Sequence, residues 1–141
     1  MPIQVCILTP DRIFQNDESD ELILQTNTGQ IGVLSGHAPL ITVLDIGIIL
    51  SRQQSNWKPL VLIGGFALVQ NNKVTILVNE AISASILERK KVEKTLEEAK
   101  NRLTQVVDAK EKVEATFSFK RARARYQIIQ WKRLTFFNVV F

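Results

Sequence analysis

"KVTILVNEAISASILERKKVEKTLEEAK", residues 73–100, changes its period half-way along. From Lys73 to Asn79 the run is rich in β-branched residues and alternates with period two, the signature of a half-buried strand. From Val92 the period changes. Val92, Leu96, Ala99, Leu103 and Val106 recur at steps of four, three, four and three, which is one face of a helix. The fold therefore changes class near residues 80–88.

Working outward, composition breaks at the same place. All six glycines (29, 32, 36, 47, 64, 65) and all four prolines (2, 10, 39, 59) precede residue 66. Residues 1–87 carry four Lys/Arg and seven Asp/Glu, whereas residues 88–141 carry fourteen and seven. An acidic, turn-rich module is thus followed by a basic one with no helix breakers. The boundaries that follow are a β domain at 1–86, a helical module at 87–134 and an apolar tail at 135–141.

In the first module the runs I-Q-V-C-I-L, L-I-L-Q-T, G-I-I-L and P-L-V-L-I read as further strands. Turn formers separate them: Asn27-Thr28-Gly29, Gln54-Ser55-Asn56 and Asn71-Asn72. Short strands at such spacing predict an antiparallel sandwich or flattened barrel. In the second module Glu98 and Arg102 form a favourable i,i+4 pair on the first helix. A second helix begins near Lys110, with Val113, Phe117, Ala124 and Ile128 on one face and Ala122 and Tyr126 nearby. A break at 104–109 lets the two helices fold back as a hairpin.

Several kinds of chemistry are missing. There is no phosphate-binding G-x-x-x-x-G-K-[S/T] loop. A single histidine, His37, and a single cysteine, Cys6, exclude the common zinc and iron patterns and any internal disulfide. Cys6 is expected to be a small buried apolar residue. His37 lies in G-Q-I-G-V-L-S-G-H-A-P-L, a run whose nearest ionisable neighbour downstream is Asp45, with no Ser–His–acid order. It reads as a turn histidine shaped by Gly36 and Pro39. No catalytic residue and no metal ligand set is expected. No apolar run is long enough to span a bilayer, and the opening M-P-I-Q-V-C-I-L-T-P does not read as a targeting peptide. The stretch K-R-A-R-A-R-Y-Q-I-I-Q-W-K-R, residues 120–133, has six positive charges and no negative one. That pattern fits a solvated helix face, an acidic protein partner, nucleic acid or an anionic membrane. No nucleic-acid motif accompanies it.

Three blocks carry a resemblance. G-Q-I-G-V-L-S-G-H-A-P-L followed by D-I-G, then G-G-F-A-L-V-Q, then K-V-T-I-L-V-N-E-A, closely resemble the epsilon subunits of F-type ATP synthases. The opening I-L-T-P-D-R and the phrase T-N-T-G-Q-I-G-V-L look like the plastid branch. The resemblance covers residues 1 to about 130. It implies a ten-stranded antiparallel β-sandwich followed by a two-helix antiparallel hairpin. It also implies a non-catalytic rotor subunit of the central stalk. The sandwich would hold the gamma subunit and sit on the c ring. The hairpin would restrain ATP hydrolysis by the catalytic head. Such a subunit would be peripheral on the stromal side of a plastid thylakoid, touching membrane only through the complex, and would bind no nucleic acid. A basic helix that binds nucleic acid or an anionic membrane is the competing reading.

By the same resemblance, Gln30, Gly32, Gly36, His37 and Pro39 form the interface with gamma and the c ring. Gln30 stands where bacterial relatives often carry an acid that meets the c ring. Arg121, Arg125 and Lys120 would meet the β subunit of the head. Three departures matter. Ser35 replaces the usual proline before G-H-A-P-L. Leu87-Glu88-Arg89-Lys90-Lys91-Val92 replaces the L-D-x-x-R-A motif through which some bacterial relatives bind ATP, and a lysine cannot present a guanidinium fork. No cofactor, regulatory ATP included, is therefore expected. The ending W-K-R-L-T-F-F-N-V-V-F is more apolar than is typical of the family.

Overall fold

The computed structural model describes residues 2–140, with side chains through Trp131. The side chains of the tail expected at 135–141 lie outside those described. The chain divides after Ile82 into two compact units.

The first unit holds eight strands: β1 (Ile3–Thr9), β2 (Arg12–Ser19), β3 (Glu21–Thr26), β4 (Gly29–Leu34), β5 (Leu40–Leu44), β6 (Gly47–Gln53), β7 (Asn56–Gln70) and β8 (Lys73–Ile82). They pair in the order β2-β1-β8-β7-β5-β3-β4, while β6 bridges β7 and β3. The sheet thus folds over on itself as a sandwich. Its core is the inward parity of the strands: Ile3, Val5 and Ile7 of β1, Leu22 and Leu24 of β3, and Val74, Ile76 and Val78 of β8. Period-two alternation in β8 is what places those three side chains on one face.

Eight strands stand where ten were expected, and β7 supplies a physical reason. Its fifteen residues pair with β6 from Asn56 to Leu62 and with β5 from Gly65 to Val69, while β8 accompanies both halves. The change of neighbour falls at Gly64-Gly65. Gly64 takes a left-handed φ of +61°. A Cβ on Gly65 would lie 1.9 Å from the Leu77 carbonyl oxygen, so only glycine permits this approach of β7 to β8. One bent strand therefore serves two neighbours without interruption. A second difference concerns direction. Every pairing is antiparallel except β1 with β8, which run parallel. Parallel neighbours need a long crossover, and the six intervening strands provide it. Cys6 is half-buried rather than buried. It sits at the outward parity of β1, between the core residues Val5 and Ile7.

The second unit begins with a 3-10 turn, Ala84–Ile86, followed by α1 (Arg89–Gln105) and α2 (Ala109–Val140). Val92 and Ala99 are buried on α1, with Leu96 and Leu103 half-buried on the same face. The break between the helices contains neither Gly nor Pro. Val106 leaves helical geometry at ψ 130°, and its N–H closes on the Arg102 carbonyl at 3.2 Å. Asp108 then opens α2, its carboxylate accepting from the Glu111 N–H at 3.4 Å. Arg102 and Glu114 approach to 4.0 Å across the hairpin.

The helical face expected on α2 is covered along only part of its length. Ala124 and Ile128 are buried, but Val113 and Phe117 are 71% and 45% exposed. Ala115 and Ala122, roughly half a turn round the helix from Ala124, are buried as well. Small side chains there allow a close helix approach that a search for large apolar residues passes over.

Candidate functional site

β4 closes one end of the strand order and pairs with β3 alone, so it is an edge strand among the described residues. Gln30, Gly32, Gly36, His37 and Pro39 lie along and just beyond this edge, but they do not form one cluster. Gln30 pairs with Gln25 beside the β3–β4 turn. Four residue steps, roughly 13 Å of strand, separate it from Leu34. The Leu34 carbonyl accepts the His37 N–H at 3.1 Å. Gly36, His37 and Pro39 thus occupy one end of β4, Gln30 the other, and Gly32 the middle.

The His37 end is held by the β7–β8 turn. Asn71 and Asn72 both adopt positive φ, which forms a tight two-residue hairpin. The Asn72 side-chain oxygen accepts the Gly36 N–H at 2.7 Å, with the Ser35 hydroxyl at 3.5 Å. The Asn72 carbonyl accepts the Gln4 N–H at 2.9 Å. One asparagine therefore fixes the turn that a proline would otherwise stiffen at position 35. Gly36 has φ +86°, with nothing within 4 Å of where a Cβ would stand. The glycine is needed for its backbone angle, and the space beside it is open. His37 Nδ1 lies 2.7 Å from the Ala38 carbonyl, a local contact. Asp45 is tied to the other end of the edge, its N–H donating to the Gln25 carbonyl at 3.0 Å. Histidine and aspartate are thus a strand length apart.

A second surface was not foreseen. On the outer face of β2-β1-β8-β7-β5, strand register aligns Ile13 with Leu8, Leu8 with Leu77, Leu77 with Phe66, and Phe66 with Val43. Ile13, Leu77, Phe66 and Val43 are exposed, and so is Ile41 two residues before Val43. Strands lie about 4.8 Å apart, so this row runs for roughly 19 Å. An open hollow beside Leu8, Pro10, Gly64, Phe66 and Leu77 marks its centre. The apolar row spans five strands, more than the scattered single exposures of an ordinary surface. At the β1–β2 turn beside it, the Thr9 hydroxyl donates to Asp11 at 2.8 Å. That bond, aided by the Asp11 backbone and by Arg12, holds the Asp11 carboxyl below its ordinary range.

On α2, Lys120, Arg121 and Arg125 are half-buried, whereas Arg123 is exposed. The Arg121 guanidinium lies 5.8 Å from the Phe117 ring centroid and that of Arg123 lies 5.5 Å from the Phe119 ring. At the start of α1, Lys91 reaches Glu88 at 3.5 Å and Arg89 reaches Glu93 at 3.1 Å.

Two family models match this chain. The β-sandwich domain of the ATP synthase delta/epsilon chain covers residues 2–84, and its long α-helix domain covers residues 88–130. The chloroplastic ATP synthase epsilon chain of Chlorella vulgaris is 62% identical over 130 residues, which span 92% of this chain and 97% of that one. The chain belongs to the ATP synthase delta/epsilon family, as a plastid-type epsilon chain. The chloroplastic epsilon chain of Oltmannsiellopsis viridis is 57% identical over 129 residues, 92% of this chain and 98% of that one. Among solved structures, a chain of the Euglena gracilis mitochondrial ATP synthase (OSCP/F1/c-ring, rotational state 1) superposes with a TM-score of 0.77 at 25% identity. It covers 87% of this chain and 78% of that one. A place in the central stalk of an ATP synthase comes with this membership.

Proposed function

We propose that the chain is a non-catalytic rotor subunit. Its sandwich grips the gamma shaft with the outer face of β1, β8, β7 and β5 and meets the c ring along the β4 edge. Its hairpin restrains ATP hydrolysis by the catalytic head. The observation that carries this reading is the apolar row from Ile13 to Val43. An outward face of a small sandwich is ordinarily polar, and an apolar row in strict cross-strand register gains its stability from a partner. Gln30 offers the c ring an amide, which makes a hydrogen bond where an acid would make an ion pair. Arg121, Arg125 and Lys120 supply positive charge toward an acidic segment of the head's β subunit.

The hairpin is read as lacking a regulatory nucleotide site. Glu88 and Lys91 engage each other, and no arginine stands at position 91 to fork onto phosphate. Among the described residues no helix is long and apolar enough to cross a membrane. That accords with a peripheral subunit on the stromal side of the thylakoid, held there by gamma and the c ring.

The test is removal of residues 88–141 from the assembled enzyme. The shortened chain is expected to support proton-coupled ATP synthesis while ATP hydrolysis rises. An unchanged hydrolysis rate would remove the restraining role from the hairpin.

A further inference from the structure

Among the described residues β4 has one neighbour, and the ladder it shares with β3 shows which of its backbone groups are spare. Hydrogen-bonded and non-hydrogen-bonded pairs alternate along an antiparallel ladder. The Gln25 carbonyl points away from β4, because it accepts the Asp45 N–H at 3.0 Å. Gln25 and Gln30 are therefore a non-hydrogen-bonded pair, and by alternation so are Ile23 and Gly32. Gln30 and Gly32 thus each turn an N–H and a carbonyl outward in the plane of the sheet, and both residues are exposed. At Leu34 the carbonyl is already taken by the His37 N–H, so the open stretch ends there. Sheet edges are ordinarily blunted by charge, proline or a bulge. At the other end of the strand order, β2 carries Arg12, Asp17 and Glu18, its pairing shifts register at Ile7 and Leu8, and its Glu18 carbonyl accepts from the Gln53 side chain at 2.8 Å. In contrast, β4 pairs in one unbroken register, and His37 is the only ionisable side chain from Thr26 to Leu44. At Gly32 a Cβ would meet nothing nearer than Glu21 Oε1 at 3.9 Å. That leaves room for a large side chain on a strand laid opposite, the arrangement in which an aromatic residue covers an edge glycine.

From this we infer that β4 is completed by an added strand, an extended and uncharged segment of gamma with a bulky apolar residue opposite Gly32. Gamma is the supplier because the edge adjoins its proposed footprint. Thr26 of β3 pairs with Leu44 of β5, and β5 carries Ile41 and Val43 at the end of the apolar row. A second copy of the chain does not suffice. The open stretch of about five residues is roughly 17 Å long, and a strip about 10 Å deep covers under about 200 Å² a side, far below the 800 Å² or so of a stable pair. The added strand therefore belongs to a partner already held elsewhere. Side chains stand perpendicular to the sheet, whereas the spare backbone groups lie in it, so the Gln30 side chain remains for the c ring. The inference rests on the rotor reading and adds to it the way in which gamma is gripped.

The experiment uses the full chain and purified gamma, and reads hydrogen exchange one amide at a time. The chain, alone or bound to gamma, is held in heavy water, exchange is stopped with acid, and the released chain is read by NMR. Alone, the Gln30 and Gly32 amides should exchange fast, while those of Ile31 and Val33, bonded to β3, should be slow. In the complex the Gln30 and Gly32 amides should slow by at least about a hundredfold. The G32P variant removes an outward N–H and no bond to β3, so it should raise the Kd for gamma by about tenfold or more. Continued protection of the Ile31 amide in that variant shows that β4 is still formed. A complex in which Gln30 and Gly32 exchange as they do in the free chain would overturn the inference, leaving side-chain contact alone. Slow exchange of both amides in the concentrated free chain would do the same, by making a second copy the occupant. So would slowing that begins only when the c ring is added, which would give the edge to the ring. Failure of gamma to bind the parent chain at all would overturn this inference together with the rotor reading, and is told apart by the absence of any complex.

Discussion

Phe66→Ala tests the apolar row on the sandwich. Phe66 is 55% exposed and stands in the row between Leu77 and Val43. A phenylalanine side chain presents about 200 Å², so about 110 Å² of it awaits cover. At about 25 cal/mol per Å², covering that area contributes about 2.8 kcal/mol. The truncation should therefore raise the Kd for purified gamma about a hundredfold. The isolated chain loses only cross-strand contacts, about 1 kcal/mol, or a fall in Tm of about 4–8 °C for a domain of this size. Calorimetric titration with gamma reads the first quantity and thermal unfolding the second. Lys58→Ala, an exposed change on β7 away from the row, serves as control and should leave both nearly unchanged. A Kd within about threefold of the parent, given a folded variant, would refute the assignment of gamma to this face, because hot-spot truncations at a buried interface centre cost far more.

Two glycines should behave differently. Gly65→Ala drives a methyl to within 1.9 Å of the Leu77 carbonyl oxygen, an overpacking against backbone that should cost about 3 kcal/mol or more and lower Tm by well over 10 °C on the scale of about 4–8 °C per kcal/mol. Gly36→Ala meets open space and bears only its φ of +86°, which costs about 1–2 kcal/mol; equal losses in thermal scans would contradict this difference. On the hairpin, R121Q with R125Q should loosen inhibition of ATP hydrolysis clearly, while R123Q should do so little, since Arg123 is exposed. Each exposed pair is worth about 0–1 kcal/mol, and added salt should imitate the double change. Steady-state ATPase rates at rising salt decide, and greater relief from R123Q would assign the contact to the other face of α2.

Local periodicity made much of the fold legible. β8 declares itself by Val74, Ile76 and Val78, and α1 by Val92, Leu96, Ala99 and Leu103. The strand total was not legible, because nothing local in G-G-F-A-L says that β7 bends at Gly64-Gly65 and continues. The exposed apolar row was not legible either. It depends on register between strands far apart in sequence, which no single strand contains. One signal was present: Leu77 breaks the alternation of β8 at a position whose neighbours of the same parity, Thr75 and Asn79, are polar. Along β4 the run from Gln30 to His37 was recognisable as a unit by its motif, but the extended strand places its two ends apart. On α2 the buried side chains include three alanines, whose size hides them from a search for large apolar residues.

The most direct measurement is recovery of the tagged full chain from a mild detergent extract of its own membranes, with every copurifying subunit identified. Gamma and c subunits should come out with it in fixed proportion, and the proportion of gamma should fall with Phe66→Ala. A chain that emerges without gamma and c, or with nucleic acid in their place, would contradict a rotor subunit.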